Sequence, residues 1–94
     1  MKKAELDNYK SLDDLMHEQG GEYDYELIKK AYGFCVLHHA GQKRLSKEDY
    51  YIHPLCVAKI IVTLGMDSSS IAAALLHDVV EDTDIRRFKK RIRF

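Results

Sequence analysis

His77 and Asp78 stand side by side, and Glu81 and Asp82 follow one helical turn later, in Ala72-Ala-Ala-Leu-Leu-His77-Asp78-Val-Val-Glu81-Asp82. On a helix, with about 100° between successive residues, these four polar side chains fall within an arc of roughly 140°. Ala72, Leu75, Leu76, Val79 and Val80 take the other side. Ala73 and Ala74 lie just N-terminal to the polar face and leave room for a ligand to approach it. Three carboxylates crowded into two turns repel one another, and a divalent cation relieves that repulsion. Imidazole with carboxylate is a ligand set suited to manganese, iron or zinc. The plain alternative is a solvated acidic helix end with a capping histidine, and this segment by itself does not separate the two.

His53 supplies a second imidazole. It precedes Pro54, and proline is favoured in a first helical turn, so a helix is expected to begin there. A tight turn over Gly65 to Asp67 joins that helix to the one bearing His77, so the two should pack antiparallel. One helix then starts where the other ends, and His53 approaches His77 and Asp78 to offer two nitrogens and one oxygen. His38 and His39 close an earlier helix, where the dipole favours a cation. They read as structural or surface residues, and His17 carries no signal.

Four helices and no strand are expected to position these groups. Ser11-Leu-Asp-Asp14 resembles a capping box and opens a short helix through about His17, which Gly20-Gly21 breaks. Asp24 caps a second helix, in which Leu27, Ile28, Ala31, Tyr32, Cys35 and Val36 recur at helical spacing and which ends near Gly41. Residues 42–52 form a loop. Leu55, Ala58, Ile61 and Val62 stripe the third helix, which Gly65 ends. Asp67 caps the fourth, from Ser68 to about Asp82. The fold class is all-α, a helical bundle with short connections.

Composition bounds the partners. The 94 residues are 46% hydrophobic and 32% charged, the profile of one small globular domain. No apolar run approaches the roughly 18–20 residues that span a bilayer, and the start lacks the apolar stretch of a signal peptide, so a cytoplasmic location without membrane partners is expected. Cys35 and Cys56 sit among apolar residues without metal-ligand spacing and read as reduced and buried. The net charge is zero, yet six of the last nine residues are basic: Arg86, Arg87, Lys89, Lys90, Arg91 and Arg93. An acidic body thus ends in a basic tail.

Taken together, His39-Ala-Gly-Gln-Lys-Arg44-Leu-Ser46, Tyr51-Ile-His53-Pro-Leu-Cys-Val-Ala58, Leu64-Gly-Met-Asp and Ile71-Ala-Ala-Ala-Leu-Leu-His77-Asp78-Val-Val-Glu81-Asp82-Thr83 resemble the RelA/SpoT alarmone enzymes. Tyr9-Lys-Ser-Leu-Asp-Asp and Tyr25-Glu-Leu-Ile-Lys-Lys-Ala-Tyr are similar to that family as well. The likeness covers about residues 9–84 and falls at the start of the family's hydrolase domain. It implies an all-helical HD fold, of which this chain holds the N-terminal half, with residues 1–84 as a partial domain and 85–94 as a basic tail outside the pattern. It also implies a manganese (Mn2+) cofactor held by His53, His77 and Asp78, with Glu81 and Asp82 as the acidic pair serving catalysis. Arg44 and Ser46 match the loop that receives the guanosine nucleotide, the arginine stacking on the base. The implied reaction is hydrolysis of the 3′-pyrophosphate of guanosine tetra- or pentaphosphate (ppGpp or pppGpp), in stringent-response alarmone metabolism.

The sequence departs from the resembled family in three places. The family loop reads Arg-Lys-Ser-Gly-Glu-Pro-Tyr, and here it is Arg44-Leu45-Ser46-Lys47-Glu48-Asp49-Tyr50. Lys43 or Lys47 is left to replace the lost basic residue. The family's fourth metal ligand, an aspartate on a later helix, has no counterpart, so the chain reads as truncated and is expected to expose apolar surface. Residues 85–94 read as a frameshift or gene-fragment scar ahead of a nucleic-acid-binding arm. The first function is therefore the hydrolase, or a fragment of one. The alternative is a non-catalytic module that binds nucleotide, metal or a protein partner, such as a second copy or a full-length relative. Nucleic acid ranks last.

Overall fold

The computed structural model of the chain describes residues 2–43, 45 and 47–82; for Asp78, Val80, Glu81 and Asp82 it describes the backbone. Four helices follow in order, α1 (Lys3–Gln19), α2 (Tyr25–His38), α3 (Ile52–Thr63) and α4 (Ser68–Asp82). Among the described residues there is no strand, which agrees with the all-α expectation. No described helix is long and apolar enough to cross a membrane.

The helix ends follow local hydrogen-bond chemistry. Asp24 Oδ1 accepts from the backbone N–H of Leu27 at 3.1 Å, and Asp67 Oδ1 accepts from that of Ser70 at 2.9 Å. Both are N-caps at the expected residues, each satisfying a donor with no partner inside the helix. The Asp67 carboxyl is held below the usual carboxylate range by hydrogen bonds from the Ser70 side chain first and its backbone N–H second. At the end of α3, Gly65 takes φ 74°. Its N–H bonds the Val62 carbonyl at 2.9 Å, and that of Met66 bonds Ile61 at 3.3 Å. This is a Schellman turn, and it needs the left-handed residue that glycine supplies.

α1 corrects one expectation. It begins at Lys3, eight residues before Ser11. Glu5 closes its first turn by accepting from the Lys2 N–H at 2.8 Å, and Ser11 lies inside the helix, its hydroxyl donating to the Asn8 carbonyl at 2.6 Å. That bond lets a serine sit mid-helix. Tyr9, Leu12 and Met16 form the inward stripe.

α4 packs against α2 and α3, and α1 packs against α3. The core is a single cluster that includes Leu12, Met16, Ile28, Tyr32, Leu55, Val62, Ile71, Leu75 and Leu76, all buried. Polar ties cross between elements. Gln19 Nε2 donates to the Val62 carbonyl at 2.8 Å, and the Asp24 N–H donates to Ser68 Oγ at 2.8 Å. Cys35 is buried as expected, whereas Cys56 is exposed. The packed face of α3 is Pro54, Leu55, Ala58 and Val62, and Cys56 lies off that face. Ile60, Leu64 and Met66 are exposed around the α3–α4 turn. That matches the expected apolar surface.

Candidate metal and nucleotide site

His53 is the second residue of α3 and points to solvent, between a half-buried Ile52 and a buried Pro54. Pro54 falls in the first turn, where no intrahelical N–H is required. His77 is exposed on α4, while Ala72, Leu75, Leu76 and Val79 of the same helix are buried. The polar and apolar sides of α4 are therefore divided at His77 as its sequence pattern requires.

The hairpin geometry relates the two histidines. His53 lies eleven residues before Leu64, and His77 lies ten residues after Asp67, across the connection between α3 and α4. At about 1.5 Å per residue, both stand roughly 15 Å from the turn, at the remote end of the hairpin. Backbone positions put Asp78, Glu81 and Asp82 one, four and five residues beyond His77 on the same helix. Their side chains lie outside the described set, as do Arg44, Ser46 and residues 83–94. Among the described residues no three His, Cys, Asp or Glu side chains form a metal cluster. Two imidazoles at one end of a hairpin, beside a helix carrying a carboxylate at the next position, are a donor set that fits a borderline divalent cation.

The loop that precedes α3 is built on His39. This residue follows α2 and is 2% exposed. Its Nδ1 lies 3.1 Å from Gln42 Oε1, and its ring stacks on Tyr50 with centroids 4.8 Å apart. The amide oxygen can only accept, so Nδ1 is the donor. Nε2 is buried with no hydrogen-bond partner. His39 thus has the structural role expected of it, and His38 stacks edge-on against it.

Lys43 and Asp49 face one another as an antiparallel backbone bridge and as an ion pair. This pair was not legible as such; opposite charges six residues apart around a turn were its signal. Lys43 is engaged by Asp49, and Lys47 is exposed with φ 67°. A cleft of about 640 Å³ opens between this neck, the start of α1 and the end of α2, lined in part by Glu5, Leu37, His39, Lys43, Asp49 and Tyr51. His53 and His77 do not line it.

Comparison with known proteins adds to this geometry. The HD domain family matches residues 31–93. The chain is 48% identical over 60 residues to the bifunctional (p)ppGpp synthase/hydrolase RelA of Mycobacterium tuberculosis, covering 64% of this chain and 8% of that protein. It is 54% identical over 59 residues to a guanosine-3′,5′-bis(diphosphate) 3′-pyrophosphohydrolase of Aquifex aeolicus, covering 63% and 8%. A protein of the same name from Vibrio cholerae is 39% identical over 79 residues, covering 84% and 11%. The matches thus span about a tenth of the length of these relatives. No solved structure matches the chain. A family match over two thirds of the residues, on a structure whose described elements are all helical, identifies this chain as a member of the HD domain family.

Proposed function

We propose that this chain carries the metal-binding and nucleotide-binding half of a cytoplasmic hydrolase that removes the 3′-pyrophosphate of guanosine tetra- or pentaphosphate. The observation that carries the proposal is that His53 and His77 stand similar numbers of residues from the turn joining α3 and α4, two helices that pack together. The names of the relatives support the substrate class. Residues 1–84 form the working part in this reading, with 85–94 as a basic tail, although the family match runs on to residue 93.

His53, His77 and Asp78 hold the divalent cation, manganese by the resemblance. When bound, the cation supplies Lewis acidity at a phosphoryl oxygen and makes water more acidic. Glu81 and Asp82 orient the attacking water and accept its proton. Arg44 stacks on guanine, with Ser46 beside it, and so fixes the 3′ group relative to the acidic pair. Water attacks the phosphorus bonded to the ribose 3′ oxygen, and that phosphorus–oxygen bond breaks. The 3′ oxygen takes up a proton, and pyrophosphate leaves with the oxygen of the water.

The test is turnover of guanosine tetraphosphate by the purified chain with manganese, with an EDTA control, following GDP and pyrophosphate together. Equal release of both, abolished by EDTA, is expected. A helical chain that releases neither product in manganese overturns catalysis. It leaves the binding module as the better reading if guanine nucleotide still binds.

A further inference from the structure

We propose that Lys43 and Asp49 form a clasp across the neck of the 43–49 loop and act as positioning residues for guanine nucleotide, an inference that rests on the function proposed above. Their backbone bridge is the one isolated bridge among the described residues, and their side chains pair across it. The Tyr50 N–H extends the neck by donating to the Gln42 carbonyl at 3.1 Å. Below that rung, the Gln42 N–H donates to the His39 carbonyl at 3.0 Å, and the buried His39 ring carries both the Gln42 amide and the Tyr50 ring.

The neck is fastened to the core, while the described tip of the loop is not. Leu45 is fully exposed, and Lys47 and Glu48 are exposed as well. A short loop whose described tip residues are all exposed takes its direction from the residues that close it. Lys43 and Asp49 are the last described pair before that tip. Cross-strand pairs of opposite charge favour one register, and like charges there oppose it. Lys43 is already neutralised by Asp49, so its part is to hold the loop and not to bind phosphate. The cleft beside the neck falls in the size range of small-ligand sites and has both clasp residues in its wall.

The experiment is a charge exchange on the full chain. Binding of a fluorescent N-methylanthraniloyl GDP is titrated for wild type, Lys43→Glu, Asp49→Lys and the double exchange. Amide exchange at Tyr50 reports the neck, and manganese binding followed by electron paramagnetic resonance serves as control. Each single reversal places like charges together and should weaken nucleotide binding by about fivefold or more, with faster Tyr50 exchange and unchanged manganese binding. The double exchange should recover both readouts. A double exchange as weak as the singles shows that one side chain touches the nucleotide directly, and it overturns the clasp. Single variants that bind like wild type overturn it too. If wild type binds no nucleotide, the nucleotide role fails together with the proposed function. If wild type binds and only the pattern among variants is wrong, the clasp alone fails.

Discussion

Tyr50 lies almost flat on His39, with ring centroids 4.8 Å apart and 25° between the planes. This stack puts a histidine in the interior with one nitrogen bonded to Gln42 and the other without a partner. Leaving a buried acceptor unsatisfied costs about 1–3 kcal/mol, so His39 contributes through its ring and Nδ1 while Nε2 works against it. His39→Ala should lose about 2 kcal/mol in urea unfolding through the cavity and the lost stack. His39→Phe keeps a ring and removes the orphan acceptor, and it should stay within about 1 kcal/mol of wild type. A phenylalanine variant less stable than the alanine one would show that Nε2 is satisfied after all.

Lys47 holds φ 67° without being glycine. In this conformation a side chain meets the following carbonyl, at a cost of roughly 1–2 kcal/mol. Glycine is the residue that adopts this conformation without that cost. Lys47→Gly should raise stability by about 0.5 kcal/mol, the relief being partly offset by the greater freedom of glycine in the unfolded chain. Thermal unfolding at one pH decides it. A lower midpoint in the glycine variant would mean that the lysine side chain makes a compensating contact.

Much of this architecture is legible because it rests on short-range chemistry. Asp24, Gly65 and Asp67 act within three residues of themselves, and each sits at the helix end it marks. The start of α1 is not legible in the same way. Lys3 to Asn8 is mostly polar, and its closure comes from a glutamate reaching back to a lysine N–H, with no Ser, Thr, Asp or Asn at the cap. Cys56 misleads for another reason. Leu55, Cys56, Val57, Ile60 and Ile61 make α3 apolar on nearly every side, so periodicity cannot say which face packs. The proposed pairing of His53 with His77 rests on their similar numbers of residues from one turn. The Lys43–Asp49 bridge depends on register across a loop, which residue types alone do not fix.

The metal and nucleotide parts of the proposed site should separate on mutation. His77→Ala removes one imidazole of the donor set and should abolish manganese binding, as judged by electron paramagnetic resonance. Arg44→Ala should weaken binding of fluorescent GDP by about tenfold or more while leaving manganese affinity within about twofold, since a planar stacked cation is lost and no donor is. Unchanged manganese affinity in His77→Ala would show that the ligands are misassigned. Equal losses of both ligands in Arg44→Ala would count against its stacking role.

Tyr32 donates its hydroxyl hydrogen to the Glu5 carbonyl at 2.6 Å, and its ring lies 5.0 Å from that of Tyr9. Burial, and then the nearby Asp13 carboxylate, pushes the Tyr9 phenol up to about 12 from its ordinary 10.0. Burial foremost, then Tyr51, pushes Tyr32 further in the same direction. In both cases the folded chain holds the phenolic proton more tightly than the unfolded chain. Between pH 10 and 12 the unfolded state has lost a proton that the folded state keeps, so stability must fall as pH rises through that window. Below pH 10 both states are protonated and the contribution is fully present. The urea midpoint should therefore be insensitive to this pair up to about pH 10 and decline above it. Tyr9→Phe removes one of the linked protons and should make the decline shallower. Difference absorbance between the folded wild type and Tyr9→Phe should place the ionisation of Tyr9 well above pH 10. A Tyr9 that ionises near pH 10, with the fold intact, would show that the contact with Tyr32 does not bury this phenol.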